Sequence, residues 1–185
     1  MISQTTDMPL AAEPKLTPKK FTAWTLIVCL IGQPIVATAG GVVADSNAGT
    51  YKPTVDTTAN GLPLVQITAP SAAGVSRNQY TQFNVDPQGV ILNNAVTLTL
   101  TQQAGYIEGN PNLANGAARL ILNEVTGNGA SSLRGFTEVA GQKADVVIAN
   151  PNGITCNGCG FINASRGTLT TGTPVFGGSG SLDAF

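Results

Sequence analysis

The chain has no histidine in 185 residues. That excludes a Ser-His-Asp triad, a His-Glu-x-x-His zinc site and any acid–base step carried by an imidazole. Charge is also scarce. Asp, Glu, Lys and Arg together make up 10% of the chain, against roughly 25% in ordinary soluble proteins. Aromatic residues reach only 5%. In their place stand 22 glycines and many Thr, Asn, Ser and Gln residues. Neutral polar side chains and glycine suit strands and turns better than charged, solvated helices. The length is enough for one domain with a real core.

The N-terminus reads as a targeting segment. Lys15, Lys19 and Lys20 form a basic patch, and Phe21 to Ile31 is almost wholly apolar. That run is too short to span a bilayer as a helix, which takes about 20 residues, but it fits the apolar core of a signal peptide. Gln33-Pro34 breaks the run, and Ala37-Thr38-Ala39 gives the small-x-small pattern a signal peptidase accepts. Cleavage is expected after Ala39, which makes 1–39 an extended Sec signal with Met1 to Pro14 as leader extension; a buried core helix is the alternative reading. Residues 40–185 would then keep six basic and eight acidic residues, a net charge of −2. The basic residues are scattered, which leaves no electrostatic footprint for nucleic acid. Cys29 leaves with the signal, so Cys156 and Cys159 are the two cysteines of the mature chain.

Nine segments read as short strands. They are "PLVQIT" (63–68), "YTQFNV" (80–85), "VILNN" (90–94), "VTLTLT" (96–101), "RLILNEV" (119–125), "LRGFTEV" (133–139), "ADVVIA" (144–149), "GFINA" (160–164) and "GTLTT" (167–171). In "VTLTLT" the apolar Val96, Leu98 and Leu100 face one way and three threonines the other. No window holds a durable helical period. The pattern predicts an all-β fold. A sandwich or closed barrel is the broad default. Short strands, Asn and Gly at the corners, and Thr, Val and Ile suited to stacked ladders favour a parallel β-helix. These features alone leave the three open.

Two Asn-Pro-Asn sites are sharper. Asn150-Pro151-Asn152-Gly153, followed by Ile154, matches the type I turn preferences at the first, second and fourth positions. Asn110-Pro111-Asn112-Leu113 repeats the motif. Local turn propensity accounts for each; their recurrence suggests that position is specified too.

With "CNGCGFIN" (156–163), "LTTGTP" (169–174), "FNVDPQGVILNN" (83–94) and "LNEVTG" (122–127), these motifs closely resemble the secretion domain of two-partner-secretion exoproteins, over roughly Asp56 to Pro174. That group includes filamentous haemagglutinins, contact-dependent growth-inhibition exoproteins and haemolysins. The resemblance implies a right-handed parallel β-helix with small antiparallel sheets at its cap and flank. It implies export by the Sec machinery into the periplasm of a Gram-negative bacterium. Passage through an outer-membrane partner barrel follows, whose POTRA domains recognise this domain, with Asn110 to Leu113 and Asn150 to Ile154 as candidate recognition residues. Secretion to the cell surface follows, with any host-cell or bacterial receptor engaged by a C-terminal part beyond this chain. No catalysis, metal or cofactor is implied. The tail "GGSGSLDAF" (177–185) reads as ending without a helix cap or closing strand, as in the N-terminal piece of a larger exoprotein.

Cys156-x-x-Cys159 is followed by "GFIN", which reads as strand, whereas redox pairs sit at helix N-termini. Two cysteines without histidine do not fill a zinc site. In an oxidising periplasm a local disulfide across Asn157-Gly158 is the favoured reading. Two other function classes stay in view. One is an adhesin module binding glycan or protein directly, although Tyr51, Tyr80 and Tyr106 are isolated in sequence. The other is a polysaccharide-cleaving β-helix, which would need Asp86, Glu108, Glu124, Glu138 and Asp145 to be brought together by coil stacking.

Overall fold

A computed structural model describes residues 41–185 of the chain. The expected cleavage site at Ala39 and the segment before it lie outside the described residues. The strands in chain order are β1 (Val42–Ala44), β2 (Thr54–Thr57), β3 (Pro63–Gln66), β4 (Val75–Phe83), β5 (Val90–Asn94), β6 (Thr99–Thr101), β7 (Gly105–Ile107) and β8 (Leu120–Val125). After them come β9 (Ser131–Leu133), β10 (Phe136–Gly141), β11 (Ala144–Ala149), β12 (Ile154–Cys156), β13 (Gly160–Ile162), β14 (Ala164–Thr170), β15 (Val175–Phe176) and β16 (Leu182–Ala184). Single 3₁₀ turns occupy Gly49–Tyr51 and Pro111–Leu113.

The chain winds as a right-handed parallel β-helix, with small antiparallel sheets added. One sheet runs β1-β4-β8-β11-β14 and a second runs β13-β10-β5-β3-β2. The third face is narrow: β9 pairs with β12, and Val85 bridges to Leu133. Each turn of the helix passes from the second sheet to the first and then to the narrow face. Four coils result. They are β3, β4 and Val85; β5, β8 and β9; β10, β11 and β12; and β13 with β14. Every pairing between coils is parallel. The first coil is closed by antiparallel strands, β1 on β4 and β2 on β3.

Alternation along each strand decides what enters the core. In the first sheet Ser76, Ile121 and Val146 share one inward row, and Tyr80 pairs with Val125 in another. In the second sheet Val65, Leu92 and Val139 share a row. These side chains and Ile67, Phe83, Val85, Leu113, Leu133 and Ile148 form one buried cluster. Tyr80 and Phe83 meet edge to face, their ring centroids 4.9 Å apart. The outer faces are covered by the two hairpins. Ile107 of β7 packs on Leu64, Ile91 and Ala140. Phe176 of β15 and Leu182 of β16 pack on the cluster of Leu122, Val147 and Ala149.

Several sequence readings change, among them "GFINA", which is β13, the Asn163 corner and the start of β14. "LRGFTEV" is two strands: the chain turns a corner at Arg134-Gly135, where a Cβ on Gly135 would lie 2.1 Å from the Asp86 carbonyl oxygen. "VTLTLT" is strand only over Thr99–Thr101; Val96, Leu98 and Leu100 are exposed by 52, 58 and 63%, and Thr97 is exposed with them. Its Thr101 is buried instead, because this strand belongs to an added hairpin rather than to a coil. The tail does contain a strand: Leu182–Ala184 pairs antiparallel with β15 and folds back on the outer face of the first sheet.

Candidate functional site

The two Asn-Pro-Asn motifs occupy corners of the helix, and both do more than turn the chain. Asn110 precedes a single 3₁₀ turn, with Pro111 at its start and the Leu113 N–H donating to the Asn110 carbonyl at 3.2 Å. Its side-chain Oδ1 accepts from the Asn112 N–H at 2.9 Å, the local Asx bond expected of this residue type. Its Nδ2 donates to the carbonyls of Ile67 and Asn93, each at 2.9 Å, one in the first coil and one in the second. Asn112 Nδ2 adds a bond to the Ile67 carbonyl at 3.0 Å. Leu113 then drops into the main core, fully buried.

Asn150 repeats the arrangement one coil further on. Oδ1 accepts from the Asn152 N–H at 2.9 Å, and Nδ2 donates to the Gly129 carbonyl at 3.0 Å and to Ser131 Oγ at 2.9 Å, both in the second coil. Asn152 Nδ2 reaches the Gly127 carbonyl at 2.7 Å. The turn closes with the Gly153 N–H on the Asn150 carbonyl at 3.1 Å. Gly153 has φ +108, where an L side chain would be strained. Its carbonyl accepts from the Ser131 N–H at 2.9 Å, which leads Ile154 into β12 alongside β9.

The sequence reading missed that these two are members of a larger set. Asn84 Oδ1 accepts from the Ser132 N–H of the next coil at 2.8 Å. Asn94 Nδ2 donates to the carbonyls of Ala118 and Gln142 at 2.9 and 2.8 Å. Asn163 holds φ +54, alone among the described non-glycine residues in the left-handed region, and donates to the Val139 and Gly141 carbonyls at 2.8 and 3.0 Å. Thus the first-to-second, second-to-third and third-to-fourth coil contacts each carry at least one corner asparagine. The signal was in the sequence as unpaired corner Asn residues without proline, too common a pattern to single out alone. The physical need is general: a corner interrupts the ladder and leaves backbone groups without strand partners, and a buried group without a partner is costly. A short amide supplies a donor and an acceptor together.

The cysteines lie on the next corner. Cys156 ends β12, and a disulfide joins it to Cys159 with the two Cα atoms 5.3 Å apart. The Asn157 N–H donates to the Leu133 carbonyl at 2.9 Å, and Cys159 packs against the main core. The strand β13 follows, so this pair has no helix N-terminus beside it.

Of the five carboxylates named above, Glu124, Asp86 and Glu138 have structural partners. Glu124 takes Arg77 Nε and Nη2, each at 2.8 Å, and Gln79 Nε2 at 2.9 Å. Asp86 pairs with Arg134. Glu138 is buried on the outer face of the second sheet, where it accepts from the Gln102 and Gln103 N–H groups at 2.6 and 3.0 Å and fastens the turn of the β6–β7 hairpin. Asp45 receives the Thr126 hydroxyl at 2.7 Å and the Asn47 N–H at 2.8 Å, and these bonds, the hydroxyl first, hold its carboxyl below the ordinary value of 3.8. Burial pushes the Tyr80 phenol well above its ordinary range; its hydroxyl donates to Asn123 Oδ1 at 3.0 Å inside the helix.

The family model described as the TPS secretion domain matches residues 40–185. The chain belongs to this two-partner-secretion domain family. It is 48% identical over 169 residues to a tRNA nuclease CdiA of Escherichia coli (strain STEC_O31), covering 90% of this chain and 5% of that protein. It is 52% identical over 158 residues to a toxin CdiA of Yersinia pestis, covering 85% of this chain and 5% of that protein. Among solved structures, a crystal structure of a filamentous hemagglutinin secretion domain superposes with a TM-score of 0.68 at 42% identity, covering 75% of this chain and 45% of that one. The chain spans about a twentieth of the length of the curated relatives it matches. A TPS secretion domain is a transport domain, not a catalytic one, and it implies an outer-membrane transporter as partner. Exoproteins of the CdiA kind are secreted or surface-exposed.

Proposed function

We propose that residues 40–185 are the export-directing domain of a longer adhesin or contact-dependent inhibition toxin. The Sec machinery carries the chain to the periplasm, and cleavage after Ala39 releases the signal. The POTRA domains of the partner barrel recognise the domain, and its coils then nucleate β-helix folding at the cell surface. The observation that carries this reading is the asymmetry of the coil stack. Antiparallel strands close the first coil, whereas β13 and β14, which make the fourth, stand at the open edges of the two large sheets. An edge strand offers a row of free backbone groups on which a further parallel coil can pair. Growth from such a seed has one direction, the direction in which the chain is made. Any receptor on a host or bacterial surface would be met by sequence beyond this domain.

The test is export of a reporter fused after Phe185, with and without the partner barrel. Supernatant reporter that depends on the barrel supports the reading; equal release without it defeats the reading. One observation favours direct protein binding as a second reading: Val96, Leu98, Leu100 and Tyr106 leave an apolar row exposed on the β6–β7 hairpin. Loss of surface adhesion, with export intact, on changing Leu98 and Leu100 to Ser would support it.

A further inference from the structure

Arg77 lies on β4 in the first coil, on the outer face of the first sheet, one residue out of step with the inward Ser76 and Asn78. Its guanidinium carbon is 4.5 Å from the ring centroid of Tyr51 and 4.3 Å from that of Phe176. Its edge meets Glu124 Oε2 at 2.8 Å. One planar cation therefore joins the Gly49–Tyr51 turn, β4, β8 and β15. The geometry suits arginine: it lies over two rings while its edge takes a carboxylate, which an ammonium does not reproduce. A second tie lies close by. Ser71 Oγ donates to the Gly180 carbonyl at 3.0 Å, and Gly180 has φ +72 with room for no side chain, since a Cβ would lie 2.8 Å from Ser71 Cβ. Tyr51, Ser71, Arg77, Phe176 and Gly180 line a cavity of about 470 Å³ beneath these contacts. The same Phe176, with Leu182, packs on the Leu122, Val147 and Ala149 cluster of the second and third coils.

The β15–β16 hairpin, which follows the fourth coil in the chain, thus reaches back across the stack to the first. We propose that it is a closing strap: the Tyr51–Arg77–Phe176 stack couples residues 175–184 to the first coil, which becomes fully rigid only when the strap is in place. A passive cover would protect the second and third coils alone. Where the chain emerges N-terminus first, a corollary that rests on the proposed export, the strap arrives after the four coils it crosses.

The experiment is hydrogen–deuterium exchange on the purified chain, comparing the parent with Phe176→Ala, Phe176→Trp and Val175→Ala. The reporting amides are Tyr51 and Lys52, which donate to the Ala48 and Gly49 carbonyls, and those of β4. Loss of the ring in Phe176→Ala is expected to speed their exchange about three- to tenfold and leave β5 and β10 unchanged. Phe176→Trp keeps a stacking ring and should restore parent protection; Val175→Ala, on the exposed side of the same strand, should match the parent. Unchanged first-coil exchange in Phe176→Ala, or first-coil exchange in Phe176→Trp as fast as in Phe176→Ala, overturns the proposal. Should Phe176→Ala lose its β-type circular dichroism, Arg77→Lys takes its place: faster first-coil exchange supports the strap, and unchanged exchange overturns it. The exchange result stands whether or not the chain is exported, so failure of the reporter fusion and failure of the strap are read separately.

Discussion

At the scale of single residues, Asn110 and Asn150 are buried parts rather than presented ones. Each side chain accepts through Oδ1 from its own turn and donates through Nδ2 to the preceding coil, Asn110 also to Asn93 of its own coil. From the sequence alone one would expect Asn150→Ala mainly to destabilise and Asn110→Ala mainly to weaken recognition by the partner, because only Asn150 abuts the cysteines. The burial of both removes the basis for that split. Each Asn→Ala change leaves backbone groups at a buried corner without partners, and should lower stability by about 2 kcal/mol. The urea midpoint of the purified domain measures this, and supernatant yield should fall in step with it for both variants. A folded, fully stable Asn110→Ala protein that is not exported would return Asn110 to direct recognition. Tyr80 makes a separate prediction. Its raised phenol pKa means the neutral form is held inside the fold, so its contribution is fully present below the ordinary value of 10.0 and is lost only as pH climbs through the raised folded value. Its phenolate absorbance should therefore appear together with loss of β-type circular dichroism in an alkaline titration, not before it. Asp45 has the opposite sign: its bonds to Thr126 and Asn47 contribute above pH 3.8 and fade as acid protonates it below that value.

At the scale of elements, the β6–β7 hairpin shows how an added piece is fastened. Its apolar contact with the coils runs through Ile107 and Ala104, and its turn is fastened by Glu138, bonded to two successive N–H groups, and by Asn60 Nδ2 on the Gln103 carbonyl at 2.8 Å. Glu138→Ala should free the turn. Exchange at Gln102 and Gln103 is expected to rise at least about tenfold, with a loss of roughly 1–3 kcal/mol in a charge-assisted buried site, while β8 and β11 stay protected. Equal loosening of all coils would mean that Glu138 supports the stack itself. The cysteine corner is a smaller device. A loop of about four residues yields roughly 2 kcal/mol in the chain-entropy account. Replacing Cys156 and Cys159 by Ser should cost no more than that in urea, and mass spectrometry of secreted protein should find the two linked.

For the whole molecule, coil stacking sets both cohesion and direction. No coil buries its own apolar residues; Val65, Leu92 and Val139 become a core only because three successive coils lie in register. The corner asparagines fix that register, because a slip by one residue would turn each inward row to solvent and strip every corner amide of its carbonyls. Among the described residues, no buried side-chain nitrogen or oxygen lacks a hydrogen-bond partner, as a core that carries Asn78, Asn94, Asn123 and Asn150 requires.

The sequence by itself determined the class of fold and most of its local pieces. Short strand-like runs between turn signals placed "ADVVIA" on β11 and "VILNN" on β5 to the residue, because strand preference and turn chemistry are written in neighbouring residues. The Asn150 turn was legible for the same reason, since its Oδ1 bond spans two residues. What only the tertiary structure decided is where each side chain's second partner lies. The Asn110 donors end on Ile67 and Asn93, and Arg77 ends between Tyr51 and Phe176, contacts set by which coil stacks on which. The exposed Val96, Leu98 and Leu100 mark the same limit: period two predicts one shared strand face over 96–101, whereas the folded chain keeps strand only at Thr99–Thr101 and turns all three side chains to water.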